Sequence, residues 1–148
     1  MIVATDALER LAGSVTMVDG GFDPIHEGHV RYFAAAARLG DPVLCNVSPD
    51  RWVGRKHPPL LDQAQRGEVI DAFRDIDYTY LSDLDTVKVL RRLRPRRYAK
   101  GADWAGRLPE SEATLCTRLG VEIVYLDTVT NSSTRLLSAY RDRVRGEA

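Results

Sequence analysis

Short runs of apolar, β-favouring residues alternate with longer amphipathic runs along the chain, and the alternation occurs five times without a long polar linker. Strands are predicted at 15–18, 42–47, 78–81, 97–99 and 121–126. Helices are predicted after them, at 28–39, 63–73, 84–93, 109–119 and 132 to about 143. Strands separated by helices imply right-handed crossovers and a sheet covered on both faces. The pattern therefore predicts an α/β protein with a five-stranded parallel sheet.

Two segments fall outside this alternation. Residues 1–13 are predicted to form an N-terminal arm with a candidate extra helix at 5–11, so a single domain at 1–148 has its core at about 15–143. Residues 48–61 are polar and basic and contain three prolines, which predicts an irregular surface loop. Loops of this length inside compact domains are often functional.

The balance of basic and acidic side chains bears on whether the protein binds nucleic acid. The 148 residues include 21 basic and 21 acidic side chains, so the formal net charge is zero, and the sequence pI is about 6.8. A dedicated nucleic-acid-binding domain normally has a large basic excess. Nucleic acid is therefore not an expected partner.

The length of the apolar segments and the positions of the two cysteines indicate where in the cell the protein is expected. No apolar run approaches the roughly 18 residues of a membrane span, and the N-terminus lacks the basic and apolar regions of a signal peptide. Cys45 lies in an apolar run and Cys116 in a helical one, so both are expected to be buried free thiols. These features predict a cytoplasmic protein without a membrane partner.

The segment after the first predicted strand carries the most specific chemical signal. It has the sequence GGFDPIHEGH at 20–29 and runs directly into a helix. Gly20 and Gly21 allow the backbone to approach a ligand closely, and the helix beginning near Glu27 offers unpaired N–H groups and a positive dipole end to an anion. His26 and His29 are three residues apart, so both rings lie on one face and can reach the same phosphate.

Three other interpretations of this segment compete. A dinucleotide-binding fingerprint requires G-x-G-x-x-G, which Gly20, Gly21 and Gly28 do not supply. A zincin helix requires H-E-x-x-H, with histidines four apart, whereas His26 and His29 are three apart. The third alternative is that the histidines only cap the helix or pack in the core. Two of the chain's three histidines at one strand-to-helix corner favour a function.

Residues 21–29, with the pattern Gly-Phe-Asp followed by His-x-Gly-His, resemble the G-x-F-D…H-x-G-H motif of the cytidylyltransferase-like nucleotidyltransferases. Two further segments support the resemblance. Residues 131–134 (NSST) are similar to the family's second motif, a Ser/Thr triplet that opens the last helix, and 100–104 (KGADW) are similar to the segment after its fourth strand. The resemblance covers 15–137 and implies a Rossmann-like sheet with helices on both faces.

The resemblance implies transfer of a nucleotidyl group from an NTP to a small phosphate monoester, with release of pyrophosphate. By the same resemblance, His26 and His29, whether neutral or charged, bind the triphosphate and stabilise the transition state, and Lys56 matches a basic position that contacts phosphates. These three are the candidate catalytic residues. The candidate nucleotide-binding residues are Gly20, Gly21, Phe22, Asp23, Gly28, Lys100, Gly101, Asp103, Ser132, Ser133, Thr134 and Arg135.

Each of these roles has a plainer alternative. Ser132 and its neighbours can act as ordinary helix caps, and Asp23 can brace the loop that contains it. Mg²⁺ is expected because phosphate chemistry usually requires it, but the sequence identifies no metal ligands. The family resemblance also implies a homodimer.

Two relatives within the family suggest different substrates. Residues 101–106 (GADWAG) are similar to glycerol-3-phosphate cytidylyltransferases, which use CTP. Lys100, 28–32 and 55–60 are similar instead to heptose-1-phosphate adenylyltransferase domains, and 127–130 replace the R-T-x-G segment of the CTP enzymes. ATP and a phosphorylated sugar are therefore favoured over CTP and a polyol phosphate. A catalytically silent nucleotide-binding module is a further alternative, and a flavodoxin-like electron-transfer protein ranks below it.

Overall fold

The computed structural model describes residues 1–128 and 131–147, and within them the chain forms a six-stranded parallel sheet. The strands are β1 (Ile2–Val3), β2 (Thr16–Gly20), β3 (Val43–Val47), β4 (Tyr78–Leu81), β5 (Arg97–Gly101) and β6 (Glu122–Leu126). The helices are α1 (Ala7–Arg10), α2 (Glu27–Ala37), α3 (Asp50–Val53), α4 (Gln63–Asp71), α5 (Thr86–Leu93), α6 (Glu110–Leu119) and α7 (Ser133–Glu147). A 3₁₀ turn at Ala102–Trp104 follows β5.

The strand order across the sheet is β1-β4-β3-β2-β5-β6, and every described pair of neighbours is parallel. The expected α/β class with a Rossmann-like parallel sheet is confirmed. The prediction of five strands is wrong by one, because Ile2 and Val3 pair with Thr79 and Tyr80 at the sheet edge. A strand of two residues has no alternation to detect, and the sequence therefore showed this segment only as an arm.

The prediction of an irregular loop at 48–61 also needs correction. Pro49 has extended backbone angles and is followed by the four-residue helix α3. Proline at a helix start lacks only an N–H that would have no helical partner there, so this position tolerates it. The rest of the segment has no helix or strand and returns the chain to α4.

Alternate residues of the strands bury two separate apolar clusters, one on each face of the sheet. Met17, Leu44 and Tyr98 pack with α1, α5 and α6 on one face, whereas their neighbours Val18, Cys45 and Ala99 pack with α2 and α4 on the other. Cys45 and Cys116 are free and buried, as expected. In the described part of the chain, no helix combines the length and the apolar character that crossing a bilayer demands.

The two halves of the sheet diverge between β2 and β5. From β2 the chain passes through α2 to β3 on one side, and β5 joins β2 from the other side after α5. In open parallel sheets, ligands bind beyond the carboxyl ends of the strands at such a switch point. The carboxyl ends of β2 and β5 carry the segments that begin at Gly20 and Lys100, both of which the sequence marked as candidates.

Candidate active site

A cleft of about 310 Å³ opens at the carboxyl ends of β2 and β5. It brings together most of the residues that sequence reasoning selected from segments far apart in the chain. Those that line it are Gly20, Gly21, Phe22, Asp23, His26, Gly28, His29, Lys56, Lys100, Gly101, Asp103, Ser132, Ser133 and Thr134. Arg135 is exposed in the first turn of α7 and is not among the lining residues.

The two glycines at the end of β2 and directly after it leave little room for a side chain. A Cβ atom at Gly20 would lie 3.0 Å from the Phe22 ring, and one at Gly21 would lie 3.0 Å from a methyl carbon of Val53. Phe22 itself adopts a positive φ of 54°, and its buried ring packs edge-on against His29 at 5.0 Å between centroids. The loop therefore positions His29 through Phe22 as well as bringing backbone to the cleft.

The two histidines form a single hydrogen-bonded unit at the start of α2. His26 is the N-cap, and its Nδ1 accepts a hydrogen bond from the backbone N–H of Gly28 at 3.0 Å. The backbone N–H of His26 donates to Nδ1 of His29 at 3.2 Å, and the two rings stack with centroids 3.8 Å apart. Because both Nδ1 atoms accept, each neutral ring carries its proton on Nε2. Both rings line the cleft, and within the described residues neither Nε2–H group has a hydrogen-bond partner, so each is available as a donor.

Electrostatics also favours the neutral state of this pair. Burial, and to a smaller extent the neighbouring His26, lower the pKa of His29 to about 3. Burial also lowers the pKa of His26 from its usual value. Both imidazoles are thus neutral near pH 7 in the absence of ligand, a point that the sequence left open. The capping considered as an alternative is present in the structure, and the same side chains line the cleft. Their catalytic role stays a prediction.

The N-terminus of α7 lies against the loop that follows β2. Ser132 is the N-cap, because its Oγ accepts from the backbone N–H of Arg135 at 3.1 Å, and the helix begins at Ser133, one residue later than predicted. Ser133 Oγ donates to the carbonyl oxygen of Pro24 at 2.8 Å. The N-termini of α2 and α7 therefore meet at one cleft, and both present the positive end of a helix dipole. Residues 129–130, part of the 127–130 segment compared above with the R-T-x-G motif, lie outside the described residues.

Asp23 connects the loop after β2 to the 48–61 segment. Its buried carboxylate accepts from the backbone N–H groups of Leu60 at 2.7 Å and Leu61 at 3.2 Å. Both carboxylate oxygens are used in this way, so the bracing role considered for Asp23 is present in the structure. Its assignment as a nucleotide-binding residue stays a prediction.

Arg66 is a residue of this site that sequence reasoning missed. It is 1% exposed, and its guanidinium donates to the carbonyl oxygens of Gly21 and Ser48, both at 2.8 Å, and to the Asp50 carboxylate at 2.7 Å. It therefore holds the loop after β2, the end of β3 and the start of α3 together. Arg66 lies one turn before Ile70 on the buried face of α4, and an arginine at such a core-facing position is a detectable signal.

Two lysines line the cleft in different electrostatic states. Lys56 is exposed at the rim, with its Nζ 4.7 Å from the centre of the Trp52 ring. Lys100 is 7% exposed, and its Nζ lies 2.7 Å from Asp19 Oδ1 and 4.3 Å from the centre of the Trp104 ring. Since Asp19 neutralises Lys100, Lys56 is the better placed of the two to attract a phosphate.

The described residues offer few side chains that could coordinate Mg²⁺. They contain no group of three or more His, Cys, Asp or Glu side chains that could hold a metal ion. Asp19 is paired with Lys100, and Asp23 is bound to backbone N–H groups. The protein thus offers no dedicated Mg²⁺ cage in its described part, and the expectation of Mg²⁺ rests on the triphosphate, whose oxygens it normally binds.

The fold and the cleft define a class: α/β proteins that bind a phosphate-bearing ligand at the switch point of a parallel sheet. The particular family follows from comparison with known proteins. Residues 17–136 match the cytidylyltransferase-like family model, and the chain belongs to this family of nucleotidyltransferases.

The most informative relatives are much longer proteins. The bifunctional protein HldE of Gluconobacter oxydans is 35% identical over 136 residues, which cover 89% of this chain and 28% of the relative. HldE of Trichlorobacter lovleyi is 40% identical over 103 residues, which cover 66% of this chain and 21% of the relative. This chain thus spans less than a third of either relative.

Solved structures agree with the fold. A lipopolysaccharide core biosynthesis protein from Thermoplasma volcanium superimposes with a TM-score of 0.65 at 25% identity, covering 77% of this chain and 96% of the other. A protein of unknown function from Archaeoglobus fulgidus, at 18% identity, gives a TM-score of 0.61 over 80% of this chain and 93% of the other, and shows the fold alone.

Proposed function

We propose that this protein transfers the nucleoside monophosphate of an NTP, with ATP favoured, to the phosphate group of a phosphorylated sugar and releases pyrophosphate. The observation that carries the proposal is the convergence of two Nε2–H donors, from His26 and His29, with the N-termini of α2 and α7 around one cleft. Donors of this kind suit the oxygens of a triphosphate.

The reaction is an in-line displacement at the α-phosphorus. An oxygen of the acceptor phosphate forms the new P–O bond, and the bond from the α-phosphorus to the bridging oxygen breaks, so that pyrophosphate leaves with that oxygen. Such a reaction depends on positioning and on stabilising negative charge. Neutral histidines donate to the α- and β-phosphate oxygens, Lys56 adds a positive charge at the rim, and Ser132, Ser133 and Thr134 supply donors at the start of α7.

Similarity to the HldE proteins supports ATP and a sugar phosphate. These relatives combine a heptose-7-phosphate kinase with a heptose-1-phosphate adenylyltransferase, and the matched part is about the size of one domain. A second candidate, CTP with a polyol phosphate, is favoured by one observation: the GADWAG segment forms the 3₁₀ turn whose Asp103 and Trp104 line the cleft. A silent nucleotide-binding module is the third.

Pyrophosphate release separates these candidates. The purified protein is incubated with Mg²⁺ and each of the four NTPs against a panel of sugar phosphates, including heptose 1-phosphate, and polyol phosphates, including glycerol 3-phosphate. Turnover restricted to ATP with a sugar phosphate is the expected result. Turnover only with CTP and a polyol phosphate would replace the favoured substrates by the second candidate, and tight NTP binding without turnover on any pair would indicate the silent module.

The quaternary structure and location complete the proposal. We expect a cytoplasmic homodimer, and light scattering during gel filtration measures the oligomeric state directly. A single species of about 16.5 kDa would contradict the homodimer.

A further inference from the structure

The wall of the cleft next to β5 contains a chain of hydrogen-bonded groups that the proposed phosphate chemistry does not use. Lys100 Nζ donates to Asp19 Oδ1 at 2.7 Å, and the buried Tyr98 hydroxyl lies 2.9 Å from Asp19 Oδ2. The same hydroxyl lies 2.8 Å from Glu112 Oε1, on α6. Asp19, Lys100 and Glu112 all line the cleft, together with Trp104.

The number of protons available to this chain determines its charge. A tyrosine hydroxyl has one hydrogen, so it donates to only one of two carboxylates, and the second contact is a hydrogen bond only if that carboxyl group holds a proton of its own. Asp19 already accepts a hydrogen bond from Lys100 Nζ in a direct ion pair, so Asp19 is the better acceptor for the tyrosine hydrogen. Both contacts of Tyr98 are hydrogen bonds when Glu112 holds a proton and donates it to Tyr98, which in turn donates to Asp19.

The surroundings of Glu112 agree with this assignment. The pKa of Glu112 is raised above its usual value, and burial is the largest cause. Asp19 also raises this pKa, whereas the Tyr98 hydroxyl and the Lys100 charge lower it. Tyr98 stays neutral, because burial and the nearby Asp19 raise its pKa well above the usual value. Cys116, on the same helix, also stays a neutral thiol, since burial raises its pKa to about 11.

The consequence is a polar wall without net charge. Asp19 and Lys100 cancel each other, and with the proton on Glu112 this wall neither attracts nor repels a phosphate strongly. It does offer carboxyl and carboxylate oxygens in the cleft that the Trp104 ring also lines. Such groups bind sugar or polyol hydroxyls, which both donate and accept hydrogen bonds.

We infer that Glu112, as the end of the Lys100–Asp19–Tyr98–Glu112 chain, binds a hydroxyl group of a substrate and helps to select it. The inference rests on the proposed function for the identity of the substrates. A sugar hydroxyl has two sources in that reaction, the ribose of the NTP and the phosphorylated acceptor. Both present the same chemistry to this wall.

The test compares Glu112→Ala with Glu112→Gln, and Glu110→Gln is the matched control in the exposed first turn of the same helix. Pyrophosphate release gives separate KM values for the NTP and the acceptor. Glu112→Ala raises one of these KM values by about tenfold or more, because the substrate hydroxyl loses its hydrogen-bond partner in the cleft. Glu112→Gln keeps that KM within about threefold, since its amide also donates to Tyr98, and Glu110→Gln leaves both unchanged.

The pH dependence of the affected KM distinguishes substrate binding by Glu112 from a purely structural role, which would not change this dependence. The affected KM of the wild type rises with pH as Glu112 loses its proton, whereas that of Glu112→Gln stays flat over the same range. A selective rise of the NTP KM assigns the hydroxyl to ribose, and a selective rise of the acceptor KM assigns it to the acceptor. If both KM values of Glu112→Ala stay within about twofold, or if Glu112→Gln is impaired as much as Glu112→Ala, the inference is overturned.

A separate experiment distinguishes failure of this inference from failure of the proposed function. If the wild type releases no pyrophosphate with any pair, calorimetry without turnover measures binding of ATP and its 2′,3′-dideoxy analogue, and of a sugar phosphate and its deoxy analogues. Binding that weakens on loss of a hydroxyl in the wild type but not in Glu112→Ala supports the subsite. Equal discrimination in both proteins overturns it.

Discussion

Each histidine of the pair at the start of α2 serves two purposes with its two ring nitrogens. The Nδ1 atoms accept backbone hydrogen bonds and so hold the loop and the helix in place. The same bonds fix the protons on Nε2, where a phosphate oxygen can accept them. Helix capping and the proposed phosphate binding therefore depend on one tautomer, and substitutions that imitate one ring nitrogen at a time separate the two roles.

Exchange of His29 for Asn or Gln tests whether Nδ1 serves the helix cap and Nε2 serves the reaction. In His29→Asn the amide replaces Nδ1, so the bond from the His26 backbone is kept while the Nε2 donor is lost. We expect kcat to fall by about 10²–10³-fold, as for removal of one preorganised donor to a transition-state oxygen, with little change in melting temperature. His29→Gln places its amide near Nε2 and should retain more activity but less stability.

Turnover assays and thermal unfolding of both variants provide the comparison. Near-normal kcat in His29→Asn would remove His29 from the proposed mechanism. Equal losses of kcat in the two variants would show that the position of the donor does not matter.

At the level of elements, the cleft depends on how segments distant in the chain are held together. Arg66 on α4 bonds to the loop after β2, to the end of β3 and to α3, and it does so from a fully buried position. Ser133 attaches α7 to the loop after β2 through its bond to the Pro24 carbonyl oxygen, and Ser132 caps the helix locally. The Arg66 and Ser133 contacts join distant segments, so their loss should affect geometry at the cleft as well as stability.

Replacement of Arg66 by Met removes the donors and leaves buried carbonyl oxygens without partners. We expect a loss of about 2–4 kcal/mol in the free energy of unfolding together with a raised KM for the NTP. Arg66→Lys should recover part of both. Arg92→Met is the control, because Arg92 forms an exposed ion pair with Glu9, at 2.7 Å, and exposed pairs contribute little to stability. Urea unfolding and steady-state kinetics measure the two effects, and an unchanged KM in Arg66→Met would show that the cleft does not need this brace.

Ser132→Ala separates capping from ligand binding in α7. Loss of the cap is expected to lower stability by about 1 kcal/mol and to raise the KM for the NTP. Asp85→Ala removes the comparable cap of α5, where the carboxylate accepts from Lys88 N–H at 2.8 Å, and Asp85 does not line the cleft. The Asp85 variant should lose similar stability and keep its KM. If the two variants behave alike in both measurements, Ser132 is only a cap.

For the molecule as a whole, the sequence predicts the strands and helices that have a regular hydrophobic pattern and the site residues that occur together in short motifs. β4 has the predicted bounds, and β3 and β6 each begin one residue later than predicted. The cleft residues were detectable because glycine, histidine and Ser/Thr occur where strands meet helices. β1 has too few residues to show a period, and Glu112 looks like an ordinary residue of an amphipathic helix. Arg66 stands out only by its core-facing position. The contacts that these two side chains make with other segments are not contained in a one-dimensional pattern.

The stability of the whole fold should depend on pH through His29. Its pKa is lowered to about 3 in the folded protein from the usual 6.5, so the unfolded chain binds more protons between these values. Stability from this group is present above pH 6.5 and decreases as the pH falls, by up to about 1.4 kcal/mol per pH unit. His29→Asn lacks the titrating ring and keeps the Nδ1 contact. Urea unfolding at pH 7 and pH 5 should therefore show a smaller loss on acidification in the variant than in the wild type, and parallel losses would contradict the neutral, buried state of His29.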